Sequence, residues 1–228
     1  RNADVVIADS ENTKKDILNY YKISESKIKV IYLGVNDLFL SSKKRKRIIN
    51  QEYFFTLTTH PKRKNIYRIL DIFSENEKLQ KYKFVIAGLI PDNQMTLLKE
   101  KISKLGLDKK VIIFGYASEE DLISLYQYAN FFIYPSYYEG FGLPVLEAMA
   151  IKCPVIASNR SSIPEITPDD NWLVDPYKSD DIAEKMNKII KLSALERDEL
   201  IKKNYNFAEQ FTWEKCARQM IRLFENKN

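Results

Sequence analysis

The stretch Phe131-Phe132-Ile133-Tyr134-Pro135-Ser136-Tyr137-Tyr138-Glu139-Gly140-Phe141-Gly142-Leu143-Pro144-Val145-Leu146-Glu147-Ala148-Met149-Ala150 reads as three consecutive pieces. Residues 131–134 are a short run with no polar side to turn toward water, as in a strand covered by helices on both faces. A glycine-bearing turn follows, in which Gly140 and Gly142 permit positive φ or close backbone approach. Pro144 then suits the first turn of a helix that continues through Leu146, Glu147 and Met149. Strand, turn and helix in that order place the turn at the carboxyl end of a sheet strand, where open α/β sheets bind ligands.

The same order recurs outward from this point. Strands are predicted at about 28–33, 53–57, 83–88, 111–114, 131–134, 154–157 and 171–174, most with a helical stretch between them, and an earlier strand at Asp4-Val5-Val6-Ile7-Ala8 precedes a helix capped near Ser10. Alternating strands and helices predict a parallel sheet, and the apolar runs Phe84-Val85-Ile86-Ala87 and Val111-Ile112-Ile113-Phe114 predict that both its faces are covered. The expected fold class is α/β, a doubly wound, Rossmann-like parallel sheet. Ser118-Glu119-Glu120-Asp121 opens a helix to about Ala129 with capping-box spacing, and Thr212 precedes a last helix from Trp213 to about Phe224. The polar, basic run from Ser41 to Asn50, with Lys43-Lys44-Arg45-Lys46-Arg47, is expected to be a solvated linker or surface loop, or else a holder of acidic headgroups or a phosphorylated ligand.

Composition narrows the chemistry. A chain of 228 residues with 45% hydrophobic and 29% charged residues builds one sizeable core, which excludes disordered and fibrous classes. Its net charge of +5 is modest and spread along the chain, so no nucleic-acid partner is expected. Two cysteines, Cys153 and Cys216, make neither a disulfide framework nor a paired-cysteine zinc site, and fit a reducing, cytoplasmic setting. No apolar run reaches the roughly 18 residues of a membrane span, and Arg1-Asn2-Ala3-Asp4 leads into a strand pattern rather than a signal peptide. The protein is expected to be cytoplasmic, at most peripheral at the inner face of the membrane.

Glycine scarcity excludes the common nucleotide motifs. With six Gly in all, Gly140-Phe141-Gly142 is the single Gly-x-Gly, and Val145 stands where the dinucleotide fingerprint requires a third glycine. The P-loop pattern is absent too. His60 is the one histidine, so any His-based mechanism or metal site hangs on it. What remains is an anion site at the helix start near Pro144, with Glu139 in the turn and Glu147 about one turn into the helix. Two carboxylates beside an anion site make sense where each bonds hydroxyls, which a sugar nucleotide supplies. A second strand-to-helix loop, Pro61-Lys62-Arg63-Lys64-Asn65, sets cations where they meet the same ligand across the crevice.

These residues resemble the group 1 retaining glycosyltransferases, which share a two-domain GT-B fold and use nucleotide-sugar donors. Glu139-Gly140-Phe141-Gly142-Leu143-Pro144 with Leu146-Glu147-Ala148-Met149-Ala150 is similar to that family's two-glutamate motif, which has seven residues between the acids, and Pro61 to Asn65 to its basic loop. Ala3 to Glu11 resembles the end of its acceptor domain, Val30-Ile31-Tyr32-Leu33-Gly34-Val35 its interdomain crossing, and Cys153 to Ser158 and Ile163-Pro164-Glu165-Ile166 are also family-like. The resemblance implies residues 1–40 as the tail of the acceptor domain with the interdomain crossing, 41–50 as a basic linker, and 51–228 as the nucleotide-sugar-binding domain, with about six parallel strands and a crossing helix at its end. The acceptor domain ahead of them is then missing, and the chain is expected to be a fragment, incomplete as an enzyme.

By that similarity Lys64 contacts the donor diphosphate, Glu139 the transferred sugar and Glu147 the ribose hydroxyls, while Gly142 and Leu143 offer backbone amides to the phosphates. Gly140 and Phe141 belong to the same donor-binding turn, and Phe114-Gly115-Tyr116 resembles the segment against the base, so Gly115 and Tyr116 are donor-binding candidates. Thr58-Thr59 stands where many members have Gly-Arg, which makes Arg63 the substitute candidate for the second phosphate-binding cation. The implied partners are a nucleotide sugar and a glycan or lipid-linked acceptor, with no cofactor and no metal required. A noncatalytic nucleotide-binding module completed by a partner chain and a sugar-nucleotide epimerase on the same fold remain alternatives.

Overall fold

The computed structural model describes residues 3–41, 43–168 and 170–225. Arg1 and Asn2 of the amino-terminal reading, Ser42 of the basic run and the last three residues assigned to the 51–228 domain lie outside the described residues. The chain begins with β1 (Val6–Ala8), α1 (Glu11–Tyr20), β2 (Ile28–Val30) and α2 (Asp37–Leu40). There follow β3 (Tyr53–Leu57), α3 (Ile66–Glu75), β4 (Lys83–Ala87), α4 (Asp92–Lys104), β5 (Val111–Gly115), α5 (Glu119–Tyr128) and β6 (Phe132–Tyr134). The remainder is α6 (Leu143–Ala150), β7 (Val155–Ser158), β8 (Leu173–Val174), α7 (Ser179–Ile189), α8 (Ala194–Ala208) and α9 (Trp213–Glu225).

β1 and β2 form a small parallel pair, and the other strands form one six-stranded parallel sheet in the order β5-β4-β3-β6-β7-β8. The strand period of two splits the large side chains between two cores. On one face Phe54 stacks on Phe84 at 4.6 Å and on Phe131 at 5.2 Å, closed by Ile69 and Phe73 of α3, Leu98 of α4 and Met186 of α7. On the other, Phe55 meets Tyr126 edge-on at 5.1 Å, with Val85, Phe132, Leu146 and Met149 around them. Helices on both faces explain why these strands carry no polar stripe.

Winding runs outward from β3 in both directions. β4 and β5 lie to one side, and the chain then returns to lay β6 on β3's other edge. The strand order therefore reverses between β3 and β6, and the crevice beyond their carboxyl ends is the switch point at which open sheets take ligands.

Several expected bounds are revised, and the strand expected at 171–174 is confined to Leu173–Val174, after a short helical turn at Asp170–Trp172. The strand expected at 28–33 ends at Val30, since its partner among the described residues, Val6–Ala8, ends opposite it at Ala8. The helix foreseen from Pro144 starts one residue earlier, at Leu143, with Gly142 as its cap at φ +103°. The basic run is a mostly exposed surface loop, and it is anchored: Arg45 N donates to Gln127 Oε1, and the carbonyls of Lys43, Lys46 and Arg45 accept from Gln127, Ser124 and Tyr128. It is strapped along α5, with Arg47 lying 5.6 Å over the Tyr128 ring.

Candidate functional site

Two loops meet beyond β3 and β6. The β3 loop ends at Asn65, held left-handed at φ 61°, and its side chain ties outward: Nδ2 donates to Pro176 O at 2.7 Å and Oδ1 accepts from Tyr137 OH at 2.7 Å. Tyr137 N also donates to Arg63 O at 3.0 Å, so the two loops are joined backbone to backbone. That junction buries Lys64 and Glu139, only 6% and 7% exposed, face to face, with Lys64 Nζ 2.5 Å from Glu139 Oε1. Lys64 also donates to the Tyr134 hydroxyl and stands 4.2 Å from that ring's centroid. Arg63 Nη1 adds bonds to Glu139 Oε2 at 3.3 Å and Tyr138 O at 3.0 Å.

The sequence reading gave Lys64 and Glu139 separate partners, whereas the structure makes each the other's. Burial brings the Lys64 ammonium down to about 8 despite the opposing attraction of Glu139, so desolvation outweighs the pair's Coulomb gain. Burial likewise holds the Tyr134 phenol well above its ordinary value, which keeps it a neutral hydrogen-bonding group.

The α6 start lies beside this pair. Gly142 cannot readily be another residue, because a Cβ there would come 2.5 Å from Ile163 Cδ1 and its φ is positive. Pro144 occupies the first turn, and Val145 N already donates to Gly142 O at 2.9 Å, which leaves the helix start to Gly142 and Leu143. Phe141 is buried and packs 5.8 Å from Tyr32, so of the turn's side chains it serves packing. Gly140 lies against Asp9, whose Oδ2 would be 3.2 Å from an added Cβ.

At Glu147, which the resemblance assigns to the ribose hydroxyls, burial pushes the carboxyl up to about 7, against the lowering effect of a 3.3 Å bond from Tyr126 OH. At neutral pH it is therefore shared between acid and carboxylate. Gly115, at φ +78°, ends β5 with open space where a Cβ would stand, and its carbonyl accepts from Gly88 N at 2.7 Å. Tyr116 beside it is 70% exposed.

A third loop, residues 158–166, also meets the site; the sequence marked Ser158 and 163–166 as family-like without a role and passed over Ser161 and Ser162. Ser161 Oγ accepts from Glu139 N at 2.9 Å, and Ser162 Oγ lies 3.0 and 2.9 Å from the Glu139 and Phe141 carbonyls. Glu165, in the short turn Ile163–Ile166, accepts from Glu11 N, Asn12 N and Tyr32 OH at 2.8, 2.9 and 3.0 Å. Nothing in the spacing of these residues told what they touch. At Thr58, Oγ1 accepts from His60 N at 3.0 Å, and His60 itself is exposed. Among the described residues, no group of three or more His, Cys, Asp or Glu side chains is placed to hold a metal ion, and no helix is long and apolar enough to cross a membrane.

The family model for group 1 glycosyl transferases matches residues 39–210. The chain belongs to this family. Among its relatives, the O-antigen chain mannosyltransferase B of Escherichia coli is 33% identical over 179 residues, covering 77% of this chain and 46% of that protein. The serotype-specific mannosyltransferase WbdA of Escherichia coli is 29% identical over 234 residues, covering 97% of this chain and 29% of WbdA. The chain thus spans less than half the length of these two curated relatives. In three dimensions it is similar to a glycosyltransferase from Rickettsia africae ESF-5, with a TM-score of 0.88 at 23% identity over 98% of this chain and 63% of that one. It is also similar to Anabaena Alr3699/HepE in complex with UDP and glucose, with a TM-score of 0.84 at 20% identity over 98% of this chain and 64% of that one. These likenesses confirm the doubly wound α/β fold of the family's glycosyltransferases.

Proposed function

We propose that this chain is the donor-binding part of a retaining glycosyltransferase that passes a sugar from a nucleotide-sugar donor to a glycan or lipid-linked acceptor. The observation that carries this is the buried Lys64–Glu139 pair, set by two joined loops at the sheet's switch point beside the α6 N-terminus. One group suits a diphosphate and the other sugar hydroxyls, within one hydrogen bond of each other.

In this reading the diphosphate binds Lys64 Nζ and the amides of Gly142 and Leu143, with Arg63 as the second cation. Glu139 accepts from hydroxyls of the transferred sugar, Glu147 from the ribose, and Gly115 and Tyr116 lie against the base. Because Lys64 is already paired, diphosphate binding exchanges one anionic partner for another and turns the Glu139 carboxylate toward the sugar. The bond from the anomeric carbon to the diphosphate oxygen breaks, and the acceptor oxygen bonds the same face of that carbon. The acceptor's proton passes to the leaving phosphate, whose charge is met by Lys64 and the fixed α6 dipole. No metal ion is assigned a step. We place the protein in the cytoplasm, at most peripheral to the membrane, and assign the acceptor site to a domain outside residues 51–228, with 1–40 as the tail of that domain and the crossing.

The mannosyltransferase names of the relatives make GDP-mannose the first donor to test. Calorimetric titration with GDP, GDP-mannose, UDP and UDP-glucose is expected to show binding of one nucleotide sugar and its diphosphate. Failure of all four to bind removes the reading.

A further inference from the structure

We propose that Glu165 is a positioning residue of the donor site, which caps α1 from across the fold and thereby fixes the turn that carries Glu139. The proposal rests on the donor reading above for its functional part only. α1 presents first-turn amides and the positive end of its dipole, and an ionised carboxylate is the matching group. Here that group comes from 153 and 154 residues away, as Glu165 Oε1 on Asn12 N and Oε2 on Glu11 N. Tyr32 OH donates to the same Oε2, so both carboxylate oxygens are engaged.

What this cap holds is the donor-site turn. Ser10, fully buried at the start of α1, donates from Oγ to Gly140 O at 2.7 Å, and Thr13 Oγ1 lies 3.2 Å from the same carbonyl. The Tyr32 ring that shares Glu165 packs on Phe141 at 5.8 Å and on Phe211 at 5.9 Å. From the other side, Ser161 and Ser162 bond Glu139 and Phe141 through their main-chain groups. The turn 139–141 is therefore gripped between α1 and the segment 161–165, and Glu165 joins the two grips into a closed ring. Loss of the carboxylate frees α1 to shift, and with it the carbonyl of Gly140, one residue from the carboxylate that meets Lys64. A loosened turn 139–141 costs sugar contacts more than diphosphate contacts, because Lys64 hangs from the other loop and Gly142 and Leu143 are held by α6.

Hydrogen exchange and titration on this chain test it, comparing unmodified protein with Glu165→Gln and Glu165→Ala. Exchange at residues 11–12 is expected to rise about tenfold or more, and exchange at 139–141 to rise with it, while the central strand residues 84–87 stay protected. With GDP, GDP-mannose, UDP and UDP-glucose as probes, the nucleotide sugar that binds is expected to weaken about fivefold or more and its plain diphosphate to hold within about twofold. Rising exchange at 11–12 without change at 139–141 overturns the proposal, as does equal weakening of both ligands. If the unmodified chain binds none of the four probes, the donor reading fails and exchange at 139–141 alone decides the positioning role. Should neither Glu165 variant fold, Tyr32→Phe removes one bond to the carboxylate and keeps the ring. A smaller rise at 139–141 then supports the ring of contacts, and no rise overturns it.

Discussion

Lys64 is a cation kept out of water, and its pH behaviour follows from that. With its value lowered to about 8 from the ordinary 10.5, the folded chain releases between those values a proton that the unfolded chain keeps. This group's contribution to stability thus rises with pH across that window, while its attraction for phosphate falls. Nucleoside diphosphate binding is expected to weaken as pH rises through about 8, and titrations at pH 7 and 9 check it. Lys64→Ala should weaken that binding by about 1.5 to 3 kcal/mol, the scale of a lost charged hydrogen bond, or at least about tenfold in Kd. Glu139→Gln removes the competing anion, so it should tighten the plain diphosphate and weaken the sugar-bearing donor. Glu147 has the opposite sign. Raised to about 7 from 4.5, its carboxyl holds in the folded chain a proton that the unfolded chain has lost between those values. Stability is subtracted as pH rises through that window, and Glu147→Gln should raise Tm more at pH 8 than at pH 5. The same variant should weaken a ribonucleotide more than its deoxyribose counterpart. The residues of the site were legible because carboxylate spacing, glycines and a basic loop are local signals. Their pairing was not, since Lys64 and Glu139 lie 75 residues apart and only the strand order brings them together.

At the scale of elements, α6 starts where it does because Gly142 takes a left-handed cap that no other residue takes without strain. Gly142→Ala is expected to cost about 1 to 3 kcal/mol of stability through backbone strain and contact with Ile163. Thermal unfolding checks it, at about 2–4 °C of Tm per kcal/mol for a chain of this size. The strands buried on both faces, β3, β4 and β6, were legible from their unbroken apolar runs. The capping box at Ser118 was legible too, and the structure shows both its bonds, Asp121 N to Ser118 Oγ and Ser118 N to Asp121 Oδ2. What the pattern hid was the use of irregular segments. Residues 43–47 look like solvated charge because their side chains are cationic, yet it is their carbonyls and one amide that bind α5. Glu165 sits in a turn of four residues, too short for periodicity to describe, and its partners are fixed by tertiary packing alone.

On the scale of the whole molecule, the chain leaves the β1–β2 pair at Gly34 and Val35 and returns to the same place at Phe211 and Thr212. Val35 N donates to Phe211 O at 2.9 Å, and Val35 forms a parallel bridge with Thr212. A Cβ at Gly34 would stand 2.0 Å from Trp213 N, so the approach is backbone on backbone. Gly34→Ala is expected to push the start of α9 away, seen as faster hydrogen exchange at Val35 and Cys216 with β4 unchanged. The last helix expected from Trp213 to about Phe224 is α9, and the sequence showed its capping spacing at Thr212 but not the glycine that admits its close approach. Because departure and return are neighbours, the six-stranded sheet is entered and left at one point, where Val35 bridges Thr212. The ends of residues 36–211 are therefore near enough for a short linker to join, and a piece closed in that way is expected to keep the sheet while losing the α1 grip on Gly140 and Glu165.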